Sequence, residues 1–313
     1  NISVIEKEKR TNMIIVRIKG GLGNQMFEYA MARKIQAAYG IDKIGLDLTV
    51  INKDKLRNFS LHHFAFFDKV EIVENKSKIV KIQEILAQKL VSYFIAGRPE
   101  GIAGRREDFW SLFFALFGIV QRDHSSVKEK FLLRFHKNIY MNGWFQEAAM
   151  LQPVRDLLLQ DFRWKPTKIF NTLAYQRILS TNAVCVHIRR GDYVNNPIFD
   201  VCGENYYYNA MKYMQETVAG PVFYIFSDEV DEIENSMKFP YPVVYIKDKH
   251  EDYEDLLLMK SCRHFIMSNS TYSWWAQFLG EAKDKVVVAP RKWCITEDMN
   301  VGVYMKEWVL IDV

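Results

Sequence analysis

The stretch AVCVHIRRGDY, residues 183–193, joins a strand-like apolar run to two adjacent arginines. Near-continuous apolar runs are typical of strands that are buried on both faces of a parallel sheet. Two guanidiniums at the end of such a strand need an anion, because they keep their charge and are costly to bury without a partner. We therefore predict a core strand over 183–188, followed by a site at Arg189 and Arg190 for the diphosphate of a nucleotide. The alternative is a structural ion pair with Asp192.

The rest of the second half alternates strand-like and helical patterns, which predicts a parallel sheet covered by helices on both faces. Further strand-like runs lie at 222–226, 243–246, 264–267 and 285–289, and helical patterns lie near 204–217, 229–237, 251–261 and 272–281. The first half opens similarly, with a strand at 14–18, a turn at 19–25, a helix at 26–39 and a strand at 44–48. This pattern is a βαβ unit, and residues 138–144 resume as a strand.

The length of 313 residues fits two domains. The Lys-Pro-Thr sequence at 165–167 is a plausible boundary, because proline disfavours helix at the preceding residue. We therefore predict an α/β protein with domains at 13–165 and 166–313. Residues 1–12 precede Met13, and we take them as a leader or an added remnant.

Composition excludes few functions. A net charge of +4 is too balanced to indicate a nucleic-acid-binding protein. No run reaches the roughly 18 apolar residues of a membrane span, so we expect a cytoplasmic protein. The longest apolar run, residues 112–120, is either a buried helix or an interfacial patch that gives peripheral contact with the inner membrane. The four cysteines form no C-x-x-C pair, and no metal-ligating cluster is evident, so we expect no metal site.

Polar residues follow three strands of the second half. Arg189 and Arg190 follow the first, Ser227 and Asp228 follow the second, and the stretch Ser-Asn-Ser-Thr at 268–271 follows the fourth. If the strand order is 3-2-1-4-5, the first and fourth strands are neighbours, and their loops share the ligand crevice. Asn269, Ser270 and Thr271 would open a helix whose N-terminus binds phosphate, or Ser270 and Thr271 would simply cap it.

The glycine-rich loop at 20–25 follows the first strand but lacks the dinucleotide fingerprint, which would need glycine at Met26. Its glycines allow close approach of the backbone to a ligand. We therefore place Gly23, Asn24 and Gln25 near the substrate, with a tight turn that binds no ligand as the alternative.

Several side chains keep two interpretations each. His187 either donates a proton to phosphate or shapes the arginine loop. Asp228 either accepts hydrogen bonds from guanine or, with Ser227, caps a helix. The tryptophans at 274 and 275 either pack in the core or line a sugar pocket, and the acidic residues at 252–255 are a solvated helix face.

Together these motifs resemble the bacterial α-1,2-fucosyltransferases of glycosyltransferase family eleven. The resemblance rests on residues 20–27, 142–146, 187–193, 226–228 and 268–275, which appear in the family's order. It implies a GT-B fold of two facing Rossmann-like domains. The second domain would bind GDP-β-L-fucose, and the first would take a β-galactoside acceptor glycan. It also implies inverting, metal-independent transfer of fucose to the 2-hydroxyl of a terminal galactose, without a cofactor.

Residue by residue, the resemblance places Arg189 on the β-phosphate, Asp228 on guanine, Ser270 and Thr271 on phosphate, and Asn24 on the donor side. Asp192 is the first candidate for the general base, with Asp200 and Glu147 also open. The sequence leaves the acceptor glycan and the oligomeric state undetermined. A non-catalytic protein that binds nucleotide sugars or glycans is the alternative function, and the failed glycine fingerprint disfavours an oxidoreductase.

Overall fold

The computed structural model describes residues 12–95, 113–120, 136–295 and 302–313. The chain divides into two compact units. The first comprises residues 1–20, 27–58 and 67–145, and the second comprises 21–26, 59–66 and 146–313.

The first unit contains a parallel five-stranded sheet of order β3-β2-β1-β5-β4. Its strands are β1 (Met13–Arg17), β2 (Lys43–Asp47), β3 (Glu71–Ile72), β4 (Ile119–Val120) and β5 (Asn138–Met141). Helix α1 (Leu22–Tyr39) connects β1 to β2, and α2 (Lys78–Ile95) lies between β3 and β4 in the chain. The predicted βαβ unit is therefore confirmed, although α1 begins at Leu22 instead of Met26.

An ion-pair network lies at the carboxyl ends of β1 and β2. Lys76 Nζ lies 2.6 Å from Asp47 Oδ2 and 2.8 Å from Glu84, which also pairs with Arg17. Tyr140 donates to Asp47 at 2.8 Å. Burial opposes the charge of Asp47, but the bonds from Lys76, Thr49 and Tyr140 outweigh it and lower the pKa of this carboxyl. The network therefore fixes the strand ends at this edge of the sheet.

The second unit contains a parallel six-stranded sheet of order β11-β10-β9-β6-β7-β8. Its strands are β6 (Asn182–Ile188), β7 (Pro221–Ser227), β8 (Val243–Tyr245), β9 (His264–Ile266), β10 (Val287–Pro290) and β11 (Val309–Ile311). Counted within this unit, β6 to β10 are strands 1 to 5, so the order 3-2-1-4-5 that the sequence analysis assumed is observed. β11 adds an edge strand beside β10 that the sequence did not indicate. Two Rossmann-like parallel sheets agree with the predicted fold class.

Helices of the second unit connect these strands or precede them. They are α3 (Ala148–Leu151), α4 (Arg155–Asp161), α5 (Leu173–Ser180), α6 (Glu204–Thr217), α7 (Val230–Ser236), α8 (Asp252–Lys260) and α9 (Thr271–Leu279). Short 3₁₀ turns lie at Ile51–Lys53, Leu61–His63, Ala65–Lys69, Gln152–Val154, Lys168–Asn171 and Gly191–Tyr193. Residues 183, 184, 185 and 186 of β6 are all buried, as expected for a strand covered on both faces.

The boundary between the two units differs from the division at 165 that the sequence suggests, because residues 146–165 lie in the second unit. Side-chain contacts explain this placement. The Arg155 guanidinium donates to the carbonyls of Phe278 and Gly280 at 3.1 and 3.0 Å, and Phe162 packs edge-on against Trp275. Both contacts bind α4 and the residue after it to α9.

The structure describes the apolar run 112–120 from residue 113 onward. It is not one buried helix: residues 113–115 are helical, and the chain then turns into the edge strand β4. Leu116 and Phe117 are exposed at this turn, whereas Phe114 is buried. None of the helices in the described part of the chain has the length and apolar composition of a membrane span.

Candidate active site

Arg189 follows the last residue of β6 and is held between two carboxylates. Its Nε and Nη2 lie 3.1 and 2.5 Å from Asp192 Oδ1, and its Nη1 lies 2.8 Å from Asp228 Oδ2. Burial opposes the charge, but Asp228 and Asp192 outweigh it and raise the pKa of Arg189. The guanidinium is therefore charged and fixed in direction, with one edge on Asp192, whose side chain is 52% exposed.

Asp228 shapes the loop that carries the arginines. Its Oδ1 accepts a hydrogen bond from Arg190 N at 3.0 Å. Gly191 adopts a φ of 25°, and a Cβ there would lie 2.5 Å from Asp228 Oδ2. Arg190 in turn pairs with Glu229 at 3.1 Å. Arg189 thus forms the ion pair with Asp192 that the sequence offered as the alternative, whereas the pairs of Arg189 with Asp228 and of Arg190 with Glu229 were not anticipated. Asp228 also holds the backbone that presents both arginines.

Ser227 lies at the end of β7, beside Asp228. Its Oγ accepts a hydrogen bond from Glu229 N at 3.1 Å, so it terminates the strand and orders the turn into α7. The N-cap of α7 is Glu229, and no side chain caps the helix, so the capping interpretation of the Ser-Asp pair is not supported. Contact of Asp228 with guanine stays a prediction.

His187 is buried, and its Nδ1 lies 2.9 Å from Ser268 Oγ. Burial, and secondarily the charge of Arg189, lower the pKa of His187 to about 3. The imidazole is therefore neutral at physiological pH and does not act as an acid toward a phosphate. This geometry favours the interpretation in which His187 shapes the arginine loop.

The arginine loop and the Ser-Asn-Ser-Thr loop meet at one edge of the sheet, as the strand order predicts. β6 pairs with β9 through Val184, Cys185 and Val186. Beyond the strands, His187 bonds Ser268, and Tyr193 OH donates to Asn269 O at 3.4 Å. The predicted convergence of these two loops is confirmed.

Asn269 is buried, and its side chain is engaged by the protein itself. Its Nδ2 donates to the carbonyls of Phe199 and Trp293, both at 2.9 Å, and its Oδ1 accepts from Cys202 Sγ at 3.5 Å. An amide nitrogen has two donor hydrogens, so both are used. The placement of Asn269 on the substrate therefore finds no support, and this residue holds the loop in place.

Ser270 and Thr271 form the N-terminus of α9. Ser270 is the N-cap, and its Oγ accepts from Tyr272 N at 3.3 Å. Thr271 Oγ1 donates to Asn24 Oδ1 at 3.1 Å. Capping is therefore present. The helix dipole still favours an anion at this end, so phosphate contact here stays a prediction.

Gly23 lies in the first turn of α1 and packs directly on the N-terminus of α9. A Cβ at Gly23 would lie 2.7 Å from Thr271 Oγ1 and from Tyr272 N. Trp275 Nε1 donates to Gly23 O at 2.9 Å. The close approach that glycine permits here is therefore to a helix of the protein, and contact of Gly23 with the substrate stays a prediction.

Asn24 and Gln25 differ in exposure. Asn24 is half-buried, and its Oδ1 accepts from Thr271 and from Gln146 Nε2 at 3.0 Å. Gln25 is fully buried, and its Oε1 accepts from Ser60 N at 3.1 Å. Asn24 thus stays a candidate for donor contact. Gln25 holds the loop through Ser60, and its contact with the substrate stays a prediction that its burial does not favour.

Trp274 and Trp275 are fully buried, so the interpretation in which they pack in the core is confirmed. The expected solvated helix face is wrong at Glu254, which is buried and forms a capping box with Glu251. A tertiary contact that the sequence did not indicate joins Ser60 Oγ to Asp252 Oδ2 at 2.8 Å.

The candidate bases occupy different places. Asp192 bonds Arg189, Asp200 Oδ2 accepts from Asn195 N at 2.9 Å, and the Glu147 carboxylate lies against Gly302. Asp192 is thus the candidate in contact with the arginine. Across the part of the chain that the structure describes, no group of three or more His, Cys, Asp or Glu residues is arranged to hold a metal.

The sequence has relatives over most of its length. The family model described as Glycosyl transferase family 11 matches residues 13–312. The O-antigen biosynthesis glycosyltransferase WbnK of Escherichia coli is 30% identical over 300 residues, which cover 88% of this chain and 93% of that protein. An α-1,2-colitosyltransferase of Escherichia coli is 26% identical, over 96% of this chain and 99% of that protein.

Solved structures share the fold at low identity. A variant of Arabidopsis thaliana FUT1 in complex with GDP has a TM-score of 0.52 and 11% identity, covering 91% of this chain and 71% of that chain. POFUT1 in complex with GDP-fucose has a TM-score of 0.51 and 13% identity, covering 90% of this chain and 99% of that chain.

Proposed function

Because the chain belongs to glycosyl transferase family 11, we propose that it is a galactoside 2-α-L-fucosyltransferase. It transfers L-fucose from GDP-β-L-fucose to the 2-hydroxyl of a terminal galactose, with inversion and without a metal. The observation that carries this proposal is Arg189, a charged fork at the carboxyl end of β6 beside the loop that opens α9.

The diphosphate of the donor takes the place of Asp192 on Arg189. Asp192 engages the Nε and Nη2 edge of the guanidinium through the single oxygen Oδ1. Two phosphate oxygens can bind the same edge bidentately. Asp228 engages the remaining Nη1 and keeps the fork aimed. The bound donor therefore exchanges one anion for another, and Asp192 is released.

In the reaction, the galactose 2-hydroxyl oxygen attacks the anomeric carbon of fucose. The bond from that carbon to the β-phosphate oxygen breaks, and GDP leaves with the electron pair. Arg189 and the dipole of α9 stabilise the charge on the leaving group. The hydroxyl proton passes to a carboxylate, for which the released Asp192 is the candidate. Attack from the face opposite to GDP converts the β-linked donor into an α-linked product.

The relatives support this direction. The name of the α-1,2-colitosyltransferase supports an α-1,2 linkage, and that of WbnK supports an acceptor in a bacterial surface polysaccharide. Since colitose is the 3-deoxy form of fucose, the same relative favours GDP-colitose as a second candidate donor. Lactose, other galactosides and a lipid-linked repeat unit are all open as acceptors.

The test is transfer from GDP-fucose to lactose, with the linkage of the product read by NMR. We expect Arg189→Ala to lower turnover by about 10²–10³, the loss that follows removal of one preorganised donor. Arg263→Ala is the matched control, because Arg263 also pairs with an aspartate, Asp284, but on the surface. If Asp192 is the base, Asp192→Asn should lower kcat and remove the rise of the rate with pH that accompanies deprotonation of this carboxyl.

Near wild-type turnover in Arg189→Ala would refute the assigned role of this arginine. Wild-type protein that binds GDP-fucose but forms no product with any galactoside would instead favour the non-catalytic binding protein. Product formed faster from GDP-colitose than from GDP-fucose would identify the second donor.

A further inference from the structure

Trp144 exposes a large aromatic surface. It is 49% exposed, whereas Trp274, Trp275, Trp293 and Trp308 are buried and Trp164 is half-buried. It is thus the exposed tryptophan among the described residues. A tryptophan in water forgoes the large gain of burying its ring, so a ligand that covers it would recover part of that gain.

Lys19 holds the indole of Trp144 in place. Its Nζ lies 4.2 Å from the ring centroid, a cation–π contact. The backbone N of Lys19 donates to Glu28 Oε2 at 3.0 Å, and Glu28 is fully buried in α1. Burial lowers the pKa of Lys19, with Glu28 opposing this shift. The lysine is therefore anchored at its backbone and only partly solvated, so it gives the indole a fixed support.

The position of the pair in the sheet is that of a ligand crevice. Lys19 lies two residues beyond β1, and Trp144 lies three residues beyond β5. β1 and β5 are neighbours in the order β3-β2-β1-β5-β4, and the chain leaves β1 toward β2 on the other side. This is the point where strand order reverses, and in open parallel sheets ligands bind outside the carboxyl ends of the strands at such a point.

We propose that Trp144, oriented by Lys19, is the platform on which the terminal galactose of the acceptor stacks. The axial 4-hydroxyl of galactose leaves the opposite face of the ring with contiguous C–H groups on carbons 3, 4 and 5. That apolar face matches the flat exposed indole, whereas its hydroxyls remain available to polar groups and to the reaction. The inference rests on the proposed function for the identity of the acceptor, and it adds the residue that selects it.

The binding test uses no donor, so it is independent of fucose transfer. Saturation-transfer NMR with methyl β-D-galactopyranoside should give its strongest signals at the protons on carbons 3, 4 and 5. Trp144→Ala should abolish these signals, and Trp144→Phe should retain them. Phe117→Ala is the matched control, because Phe117 is an exposed aromatic residue of the same unit at 43% exposure. Methyl β-D-glucopyranoside should give weaker signals.

The kinetic test separates the two proposals. In an active enzyme, Trp144→Ala should raise KM for lactose about tenfold or more, the loss of one aromatic anchor, and should leave affinity for GDP unchanged. An unchanged KM in that variant, with wild-type circular dichroism, overturns the platform even though transfer continues. Galactoside signals that vanish in Trp144→Ala support the platform even if GDP-fucose proves to be the wrong donor. Wild-type protein without galactoside signals overturns it.

Discussion

At the scale of single residues, the candidate site is a guanidinium fixed by two carboxylates, with a neutral imidazole behind it. Arg189 lies between Asp192 and Asp228, and the imidazole behind it, His187, is neutral and bonded to Ser268. A protonated imidazole at this position would repel Arg189, which is one reason that its pKa is lowered. The arrangement leaves the Arg189 guanidinium as the charged group at this position, as its proposed contact with the leaving diphosphate requires.

The lowered pKa of His187 predicts a pH-dependent stability. The folded pKa is about 3, and an unfolded histidine has a pKa near 6.5, so below about pH 6.5 the unfolded state binds a proton that the folded state does not. Stability should fall by about 1.4 kcal/mol per pH unit from this residue. Between pH 6.5 and 5, wild type should lose about 2 kcal/mol relative to His187→Gln.

Urea unfolding at both pH values measures this difference, because most other titrating groups are common to the two proteins. An equal difference at pH 6.5 and pH 5 would contradict a neutral, buried His187.

Sequence could predict some of these residues and not others. The paired arginines predict an anion site, because a guanidinium at the end of a buried strand needs an anion. Asn269 and Gln25 are ordinary polar residues in a motif, and only tertiary contacts place their amides on Phe199, Trp293 and Ser60. Burial of a polar side chain is a property of the packed chain that local sequence does not specify.

At the scale of elements, the first turn of α1 packs on the N-terminus of α9 within the second unit. Gly23 packs against Thr271 and Tyr272, and Asn24 bonds Thr271. The glycine-rich sequence therefore serves helix packing at Gly23 and presents Asn24 beside it.

This contact predicts the effect of adding one methyl group. Gly23→Ala should destabilise the protein by about 1–3 kcal/mol, because the new Cβ would meet backbone atoms of α9 at 2.7 Å. Gly203→Ala is the control: its Cβ would meet no atom within 4 Å, and only a weak N-cap preference is lost. Denaturant unfolding with matched m-values measures both. Equal stabilities for the two variants would contradict the proposed packing role.

The sequence predicts the long strands better than it predicts the residue at which helix α1 begins. β6 and β7 are long, apolar and buried, so composition alone identifies them. β3 and β4 have two residues each, which is too short for any periodicity to register. α1 begins within a glycine-rich run that reads as a turn, and it is helical there because α9 covers it.

At the scale of the whole molecule, two parallel sheets each offer a crevice at a strand-order reversal. The second unit carries the arginine fork at its reversal between β6 and β9, and the first carries Trp144 and Lys19 at its reversal between β1 and β5. We propose that the arginine site takes the diphosphate of a nucleoside diphosphate sugar and that Trp144 takes the acceptor sugar. Of the two proposed sites, the diphosphate site at Arg189 is the one on which fucose transfer depends.

The most direct test is the affinity for GDP compared with GMP, measured by titration calorimetry in wild type and in Arg189→Ala. If Arg189 binds the β-phosphate, wild type should prefer GDP by about tenfold or more, since a charge-assisted hydrogen bond contributes about 1.5–3 kcal/mol. The preference should then collapse in Arg189→Ala, while the affinity for GMP changes little. An unchanged preference for GDP over GMP in Arg189→Ala would contradict a contact between Arg189 and the β-phosphate.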